Sequence, residues 1–219
     1  MRQALLLLAD SRLPAGAHAH SGGIAPAVDA GLVDHDLARV MAFLHGRLHT
    51  AGLLSAAVAA RACHLAEHSG WDDLDGEVDA RTPAPEVRRV SRAQGRALLR
   101  VAKNAFPHPG YATLGTRPHH PIALGVAAHA AGGTPEEAAA LAVAHAVSGP
   151  ASAAVRLLGL DPLALTAAHA ALTTTADAVV ADATRYADQP SDALPAPSAP
   201  LLDLLAQAHA RSEVRLFAS

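Results

Sequence analysis

Residues 134–158, TPEEAAALAVAHAVSGPASAAVRLL, decide the fold class of this chain. Thr134 is a typical N-cap, Pro135 suits the first helical position, and Glu137 stands three residues after the cap, which completes a helix-start signal. Alanine and leucine, the strongest helix formers, then dominate a charge-free run over residues 138–155. Because this run is rich in small residues and also contains His, Ser, Gly and Pro, it predicts a pair of buried helices rather than a membrane span.

Similar helix signals recur on both sides of this stretch. Asp34 can cap a helix that runs to about Thr50, and an apolar segment over residues 53–67 continues as a second helix. Asp161 and Pro162 repeat the cap-and-proline start for a helix that runs towards Tyr186. Strand-forming aromatic residues are scarce, and no alternating pattern indicates a strand. The sequence therefore predicts an all-α, single-domain helical bundle of about eight to ten helices.

The chain divides into three segments by composition. Residues 1–188 hold the helix signals and form the predicted domain, and residues 189–200 form a linker of Pro, Ser and Ala. Residues 201–219 follow as a short helix and a tail that ends Arg-Leu-Phe-Ala-Ser. An apolar terminus would normally fray, so we expect this tail to dock on a partner.

Composition excludes several classes of protein. The 219 residues carry a formal charge of -3 with no basic stripe, which argues against nucleic-acid binding. The lone Cys63 excludes an internal disulfide framework and suits a reducing cytoplasm. The apolar run 4–9 is too short for a signal peptide. No phosphate-binding Gly-x-x-x-x-Gly-Lys loop and no Gly-x-Ser-x-Gly motif is present, so we expect neither a nucleotide-binding protein of that class nor a serine hydrolase.

The loop over residues 10–24, DSRLPAGAHAHSGGI, combines a proline, three glycines and two histidines. Glycine permits positive φ and close approach of other groups, so these glycines indicate a specific bent conformation with a functional or packing role. His18 and His20 are the candidates for a metal site here, since imidazole is a common ligand. A glycine-rich loop does not force the two rings together, and packing within the protein or contact with a partner is the favoured interpretation.

A second histidine pattern suggests an enzyme. His64, Glu67 and His68 match the His-x-x-Glu-His string of a class of zinc peptidases, with Glu136 as a third acidic ligand from a later helix. His45 and His49 also share a helix face. Because surface helices tolerate histidine well and the chain contains 14, chance pairing is the favoured interpretation, and a zinc hydrolase remains the alternative.

Three further features concern polar residues that are either in contact with other groups or solvated. Residues 86–96 form a dense polar helix face, for which a solvated surface is one interpretation, although Gly95 within it is more easily explained by the close crossing of another helix. Arg156 is the only charge in an apolar run, so it is either paired in the core or directed at a partner. His119 and His120 are adjacent and are expected to be solvated loop residues.

Five segments, in order, resemble the UreF family of urease accessory proteins. They are the loop 10–24, the helix 86–99 with its Glu-x-Arg-x-x-Ser-x-x-x-Gly pattern, the His-Pro segment 120–132, the Ala-x-Arg-Leu segment 147–158 and the Arg-Leu-Phe-x-Ser ending. The chain departs from the family where His18 and His20 replace aromatic residues and where Ala25 replaces an acid. The turn that is rich in glycine and glutamine in the family is here Gly159-Leu160-Asp161-Pro162.

The resemblance implies a cytoplasmic, non-catalytic scaffold. A UreF-type protein dimerises, binds UreD (also called UreH) and recruits the GTPase UreG, and the assembly inserts nickel into apo-urease; the scaffold has also been suggested to modulate GTP hydrolysis. No permanent cofactor is implied: nickel would pass in transit, and GTP would bind only to UreG. The partner contacts that we expect involve Arg12, Pro14, Gly16, His18, His20, Ser21, Gly23, Arg156, Arg215, Leu216 and Phe217. An α-helical interaction module unrelated to urease is the third alternative.

Overall fold

A computed structural model describes residues 3–10, 12–13, 20–68 and 70–211. Within these ranges the chain forms α-helices and no strand, which confirms the all-α prediction. A π-helix, Leu48–Gly52, joins α3 to α4, and counting that continuous helix once gives ten helices. The helices are α1 (Gln3–Ala9), α2 (Ile24–Asp29), α3 (Leu37–Arg47), α4 (Leu53–Leu65), α5 (Trp71–Ala80), α6 (Pro85–Ala105), α7 (His120–Ala130), α8 (Pro135–Leu158), α9 (Pro162–Ala171), α10 (Thr173–Thr184) and α11 (Pro200–His209).

The core is built around α4, which packs against α7, α8 and α10. Its inward residues are mostly alanine and are fully buried, and this lets neighbouring helices come close. One such close approach is at Gly125 of α7, where an added Cβ would lie 2.3 Å from the carbonyl oxygen of Ala59. Small residues therefore set the spacing of the central helices.

The apolar helix α8 lies inside this core. By length and composition α8 could cross a membrane, and the pair α9 and α10, bent by 49°, passes the same test as one segment. However, 61% of the apolar window in α8 is buried against the rest of the protein. The packing of α8 against other helices thus accounts for its apolar sequence.

Local start signals position most of the predicted helices. Thr134 forms the predicted capping box with Glu137, and the side chain of Asp161 accepts a hydrogen bond from the N–H of Leu163 at the start of α9. The predicted cap at Asp34 is wrong by two residues. Asp36 caps α3, because its carboxylate accepts from the N–H of Ala38, while Asp34 accepts from the N–H of Asp36.

The single helix α8 replaces the predicted helix pair. It continues through Pro150, although proline has no N–H to bond the carbonyl four residues earlier. The opposite happens after α9, where the single predicted helix towards Tyr186 divides into α9 and α10. The continuity of α8 through Pro150 has a clear physical cause in a hydrogen bond from Arg47, described below.

The C-terminal part packs on the same bundle as far as it is described. Helix α11 contacts α2 and α6, and the Nδ1 atom of His209 lies 2.9 Å from an Asp29 carboxylate oxygen. The linker over residues 189–200 contains a short 3-10 helix, Ser191–Ala193. Arg81 donates hydrogen bonds to two carbonyls of this linker, those of Asp192 and Leu194. The division of the chain at residues 188 and 200 stays a prediction.

Candidate partner interface

The end of the N-terminal loop is held tightly against the bundle. Ser21 is fully buried, and its hydroxyl accepts from the N–H of Ala25 in α2. Gly22 and Gly23 follow with positive φ of 59° and 93°. A Cβ on Gly22 would lie 2.7 Å from the Cγ atom of Pro150, so a side chain has neither the space nor the backbone conformation it needs there. The loop enters α2 in a fixed position over α8.

Arg47 explains how α8 tolerates a proline. Pro150 leaves the carbonyl of Ala146 without its usual helical donor, and the Nε–H of Arg47 donates to that oxygen at 3.1 Å. Burial lowers the pKa of Arg47 to about 10. Among the described residues no carboxylate forms an ion pair with it. The guanidinium therefore joins three elements: the end of α3, the proline turn of α8 and, at Gly22, the loop.

Of the three arginines predicted for partner contact, Arg12 and Arg156 are described, and both are on the surface. The guanidinium of Arg12 pairs with Asp10 at 2.6 Å, and its side chain is 89% exposed. This pairing, chiefly the hydrogen bonds from Arg12, lowers the pKa of the Asp10 carboxyl to about 2. Arg156 is exposed in the last turn of α8, so it is not a core charge. Pro14, Gly16, His18, Arg215, Leu216 and Phe217 lie outside the described residues.

A partly buried polar network, not predicted from the sequence, links α5, α6 and the start of α7. Arg92 on α6 binds both oxygens of Asp75, at 2.6 and 3.1 Å, and one oxygen of Asp79 at 2.8 Å. His119, which precedes α7, lies with Nε2 2.9 Å from Asp79 and Nδ1 3.0 Å from the hydroxyl of Ser91. The same hydroxyl accepts from the N–H of His120 at 3.2 Å. One tautomer satisfies every group, with His119 donating to Asp79 and accepting from Ser91.

Electrostatics keep this network in a defined charge state. Burial lowers the pKa of His119, which has no exposed surface, and so favours the neutral ring. Burial opposes the charge on Asp79, but hydrogen bonds from His119 and Arg92 outweigh it and lower the pKa of that carboxyl. The expectation that His119 and His120 are solvated loop residues is therefore wrong. His119 is fully buried and His120 is partly buried, because the chain before α7 is packed on α6.

Gly95 provides the space for that packing. A Cβ there would lie 2.1 Å from the carbonyl oxygen of Pro118 and 2.9 Å from the N–H nitrogen of His120. The expected close crossing at Gly95 is thus made by the start of α7. A serine and a glycine four residues apart on a basic helix were the sequence signal for this contact.

The network is a poor metal site despite its composition. Asp75, Asp79 and His119 offer ligand atoms within 4.8 Å of one another, the one such trio found among the described residues. Arg92 already occupies both carboxylates, so the negative charge that would attract a cation is compensated. An adjoining cleft of about 260 Å³ is lined by residues that include Trp71, Asp75, Arg92 and Arg117. The arrangement acts as an ion-paired joint between helices.

The predicted zinc-hydrolase residues do not form a catalytic site. The rings of His64 and His68 stack at 5.9 Å with an angle of 8° between their planes, so they lie side by side. Glu67 is turned towards His129 on α7, with 3.5 Å between its carboxylate and Nε2. The rings of His45 and His49 lie 4.8 Å apart, and both residues are exposed on the surface of α3 and the π-helix.

Helices α9 and α11 are among the described helices that present apolar side chains to solvent. Leu163 on α9 is 80% exposed, and Leu201 and Leu204 on α11 are also exposed. Helix α11 leads directly into the C-terminal tail. Exposed leucines on consecutive turns of one helix are typical of a contact surface rather than of scattered surface residues.

Comparisons with known proteins agree with this description. A sequence model of the UreF family matches residues 35–173. "Urease accessory protein UreF" of Mycolicibacterium vanbaalenii is 44% identical over 217 residues, which cover 98% of this chain and 97% of that protein. The proteins of the same name from Mycobacterium bovis and Mycobacterium tuberculosis are 46% and 45% identical over 215 residues, with the same coverage. This chain belongs to the UreF family.

Proposed function

We propose that this chain is a urease accessory protein that works in the cytoplasm as an assembly scaffold for nickel insertion into apo-urease. The observation that carries the proposal is identity of about 45% across nearly the whole chain with relatives named as urease accessory proteins. Those names describe an accessory protein and not an enzyme, in agreement with the prediction of a non-catalytic chain. The stacked His64–His68 pair gives no support to the zinc-hydrolase alternative.

The partners that we propose are UreD (UreH), the GTPase UreG and apo-urease, with a second copy of this chain in the complex. The exposed leucines of α9 and α11 and the exposed Arg12 and Arg156 support a role in protein contact. UreG would supply GTP binding, since this chain has no phosphate-binding loop motif. A scaffold that holds a GTPase can alter its rate of GTP hydrolysis, and nickel would pass through the complex in transit.

Gene deletion in a urease-positive host tests the function. We expect the deletion strain to make urease that lacks nickel and activity, and we expect a plasmid copy of this chain to restore both. The measurements are urease activity and the nickel content of purified urease. A second plasmid, which encodes the His64→Ala variant, is the control and should restore activity equally. Nickel-loaded, active urease in the deletion strain would instead favour an interaction module unrelated to urease.

Co-purification tests the partners. We expect tagged chain to retain UreD, and UreG only when UreD is present. Removal of residues 211–219 should leave a folded protein, checked by its circular dichroism, that no longer retains UreD. A chain with Leu163→Ser serves as a comparison that changes an exposed leucine far from the tail in sequence. Undiminished retention of UreD by the truncated chain would contradict tail docking.

A further inference from the structure

Helix α6 presents a row of cations to solvent. Arg89, Arg96, Arg100 and Lys103 are all exposed on this helix, and we call these four residues the α6 stripe. At 3.6 residues per turn their positions fall within about 60° around the helix axis, and the stripe is about 21 Å long. The cations are not adjacent in the sequence and form no basic run there. The expectation that the chain has no basic stripe is therefore wrong for the folded protein.

Three of the four cations have no counterion. Arg89 is bound by Glu86, whose carboxylate oxygens lie 2.5 and 2.8 Å from the guanidinium nitrogens. The side chains of Arg96, Arg100 and Lys103 form no ion pair or hydrogen bond with any residue that the structure describes. Their positive charge is therefore free to contact another molecule.

The alignment of these cations costs the isolated chain stability. Arg100 lies four residues after Arg96 and three before Lys103, and like charges at these spacings repel on a helix surface. Cations near a helix C-terminus are favoured by the helix dipole, which accounts for Lys103 in the last turn. The dipole effect falls off within that turn and does not account for Arg96. A merely solvated surface requires no such alignment, so the stripe points to a binding role.

The backbone that carries the stripe is held in place by the rest of the protein. The opposite face of α6 buries Leu98 and Leu99 in the core. Arg92 binds carboxylates of α5, and Gly95 packs against the start of α7. Because α6 is already ordered, a partner that binds the stripe does not have to fix its backbone, and less entropy is lost on binding.

The distribution of charge favours one kind of partner. Helix α6 carries six of the 17 lysine and arginine residues of the chain and one of its 20 acids, which leaves 11 basic and 19 acidic residues, a formal charge of -8, on the rest. Binding of duplex DNA through its backbone uses on the order of 6–10 phosphate contacts. A long duplex or an anionic membrane would also extend over the acidic remainder of the surface, whereas a short acidic protein segment meets the stripe alone.

We propose that the α6 stripe binds an acidic helical segment of a partner protein, with carboxylates opposite Arg96, Arg100 and Lys103. Carboxylates at positions i, i+4 and i+7 of an antiparallel helix repeat the spacing of the three cations. The two guanidinium groups offer planar, bidentate recognition of carboxylates, and the lysine adds a point charge. The stripe lies on one helix of this chain, and the proposal does not depend on the proposed function.

Fluorescence anisotropy of a labelled peptide tests the surface with the full chain. The probe is an alanine-based helical peptide with glutamates at i, i+4 and i+7, and the same peptide with glutamines is its neutral control. We expect an Arg96→Gln/Arg100→Gln variant to bind the glutamate peptide at least about fivefold more weakly than the wild type, since exposed ion pairs are individually weak. The matched variant Arg39→Gln/Arg185→Gln removes two other exposed arginines and should bind as the wild type does. Equal affinity of the two variants, or equal binding of the two peptides, overturns the proposal.

Lys103 allows a second test because it is the only lysine in the chain. A carbodiimide joins a carboxylate directly to a primary amine, and mass spectrometry locates the product. We expect the glutamate peptide to be joined to Lys103 at low salt and much less at about 1 M NaCl, where charges are screened beyond about 3 Å. Lys103→Arg keeps the charge, so this variant should bind the peptide normally and lose the crosslink. Absence of a crosslink at Lys103 in the wild-type chain contradicts the proposal.

Competition decides between the proposed partner and other occupants of the stripe. A DNA duplex of about 20 base pairs and vesicles that contain phosphatidylserine are each added to the chain with bound glutamate peptide at about 0.15 M NaCl. We expect neither to displace the peptide. Displacement would assign the stripe to phosphate groups and overturn the proposal. Sedimentation of the chain alone covers the remaining case, since a dimer that is lost in the Arg96→Gln/Arg100→Gln variant would assign the stripe to a second copy instead.

Discussion

At the scale of single residues, Ser91 explains why α7 begins where it does. Its hydroxyl accepts from the N–H of His120, one of the donors that a helix start leaves without a partner, and donates to His119. Gly95, one turn further along α6, leaves room for the same segment. The family-like Ser-x-x-x-Gly pattern is thus the docking place for the start of α7.

Loss of this hydroxyl should destabilise the protein without changing its fold. Ser91→Ala leaves the Nδ1 atom of His119 and the N–H of His120 without a partner in a largely buried place, so we expect the free energy of unfolding to fall by about 1–3 kcal/mol. Urea denaturation measures the change. Ser152→Ala, at an exposed position on α8, should have little effect. Equal stability of the two variants would show that the network contributes nothing.

At the scale of elements, the crossing of α4 and α7 limits how the core can vary. Ala59, Ala62 and Cys63 of α4 leave no room for a side chain at Gly125. The helices can separate only if the packing around α4 changes, because protein interiors are close-packed. The thiol of Cys63 lies in this crossing, and burial raises its pKa to about 12, so it is an inert core group.

Two glycine substitutions in helices should have opposite effects. Gly125→Ala introduces an overlap with the Ala59 carbonyl, and we expect a cost of about 1–3 kcal/mol that exceeds the gain in helix propensity. Gly76→Ala on α5 meets no atom within 4 Å, so it should stabilise the protein by up to about 1 kcal/mol. Thermal and urea unfolding of the pair provide the comparison. Stabilisation by both substitutions would show that α4 and α7 separate easily.

At the scale of the whole molecule, buried histidines make stability depend on pH. The pKa values of His119, His120 and His145 are all lowered in the folded chain. The unfolded chain therefore binds more protons than the folded chain below about pH 6.5, the ordinary value for histidine. Stability is complete above that pH and is lost as the pH falls towards the folded-state values.

The His120→Asn variant should reduce this dependence. For a group with a pKa lowered to about 3, the loss between pH 7 and pH 5 is at most about 2 kcal/mol, since one pH unit corresponds to about 1.4 kcal/mol. We expect a shallower fall in the urea midpoint between pH 7 and pH 5 for the variant, measured with EDTA present. The His64→Asn chain should keep the wild-type slope. A slope unchanged by His120→Asn would assign the acid sensitivity to other groups.

The sequence predicts local features of this protein better than long-range ones. The caps at Thr134 and Asp161 were predictable because each signal lies within four residues of the backbone group that it satisfies. The course of α8 through Pro150 depends on Arg47, 99 residues away along the chain. The burial of His119 likewise depends on α5 and α6. Of the predicted site residues that are described, Ser21 and Gly23 lie in the anchored end of the loop, whereas Arg12 and Arg156 are on the surface.

Arg47 and Pro150 have a mutual dependence that single substitutions cannot reveal. Replacement of Pro150 by alanine returns an N–H to α8, which then competes with Arg47 for the Ala146 carbonyl. The arginine should matter less in that background, so the two positions are thermodynamically coupled and the effects of their substitutions are not additive. In related proteins an arginine at one position and a proline at the other should be gained or lost together. The position of the N-terminal loop on α8 therefore depends on this pair of residues and not on the loop sequence alone.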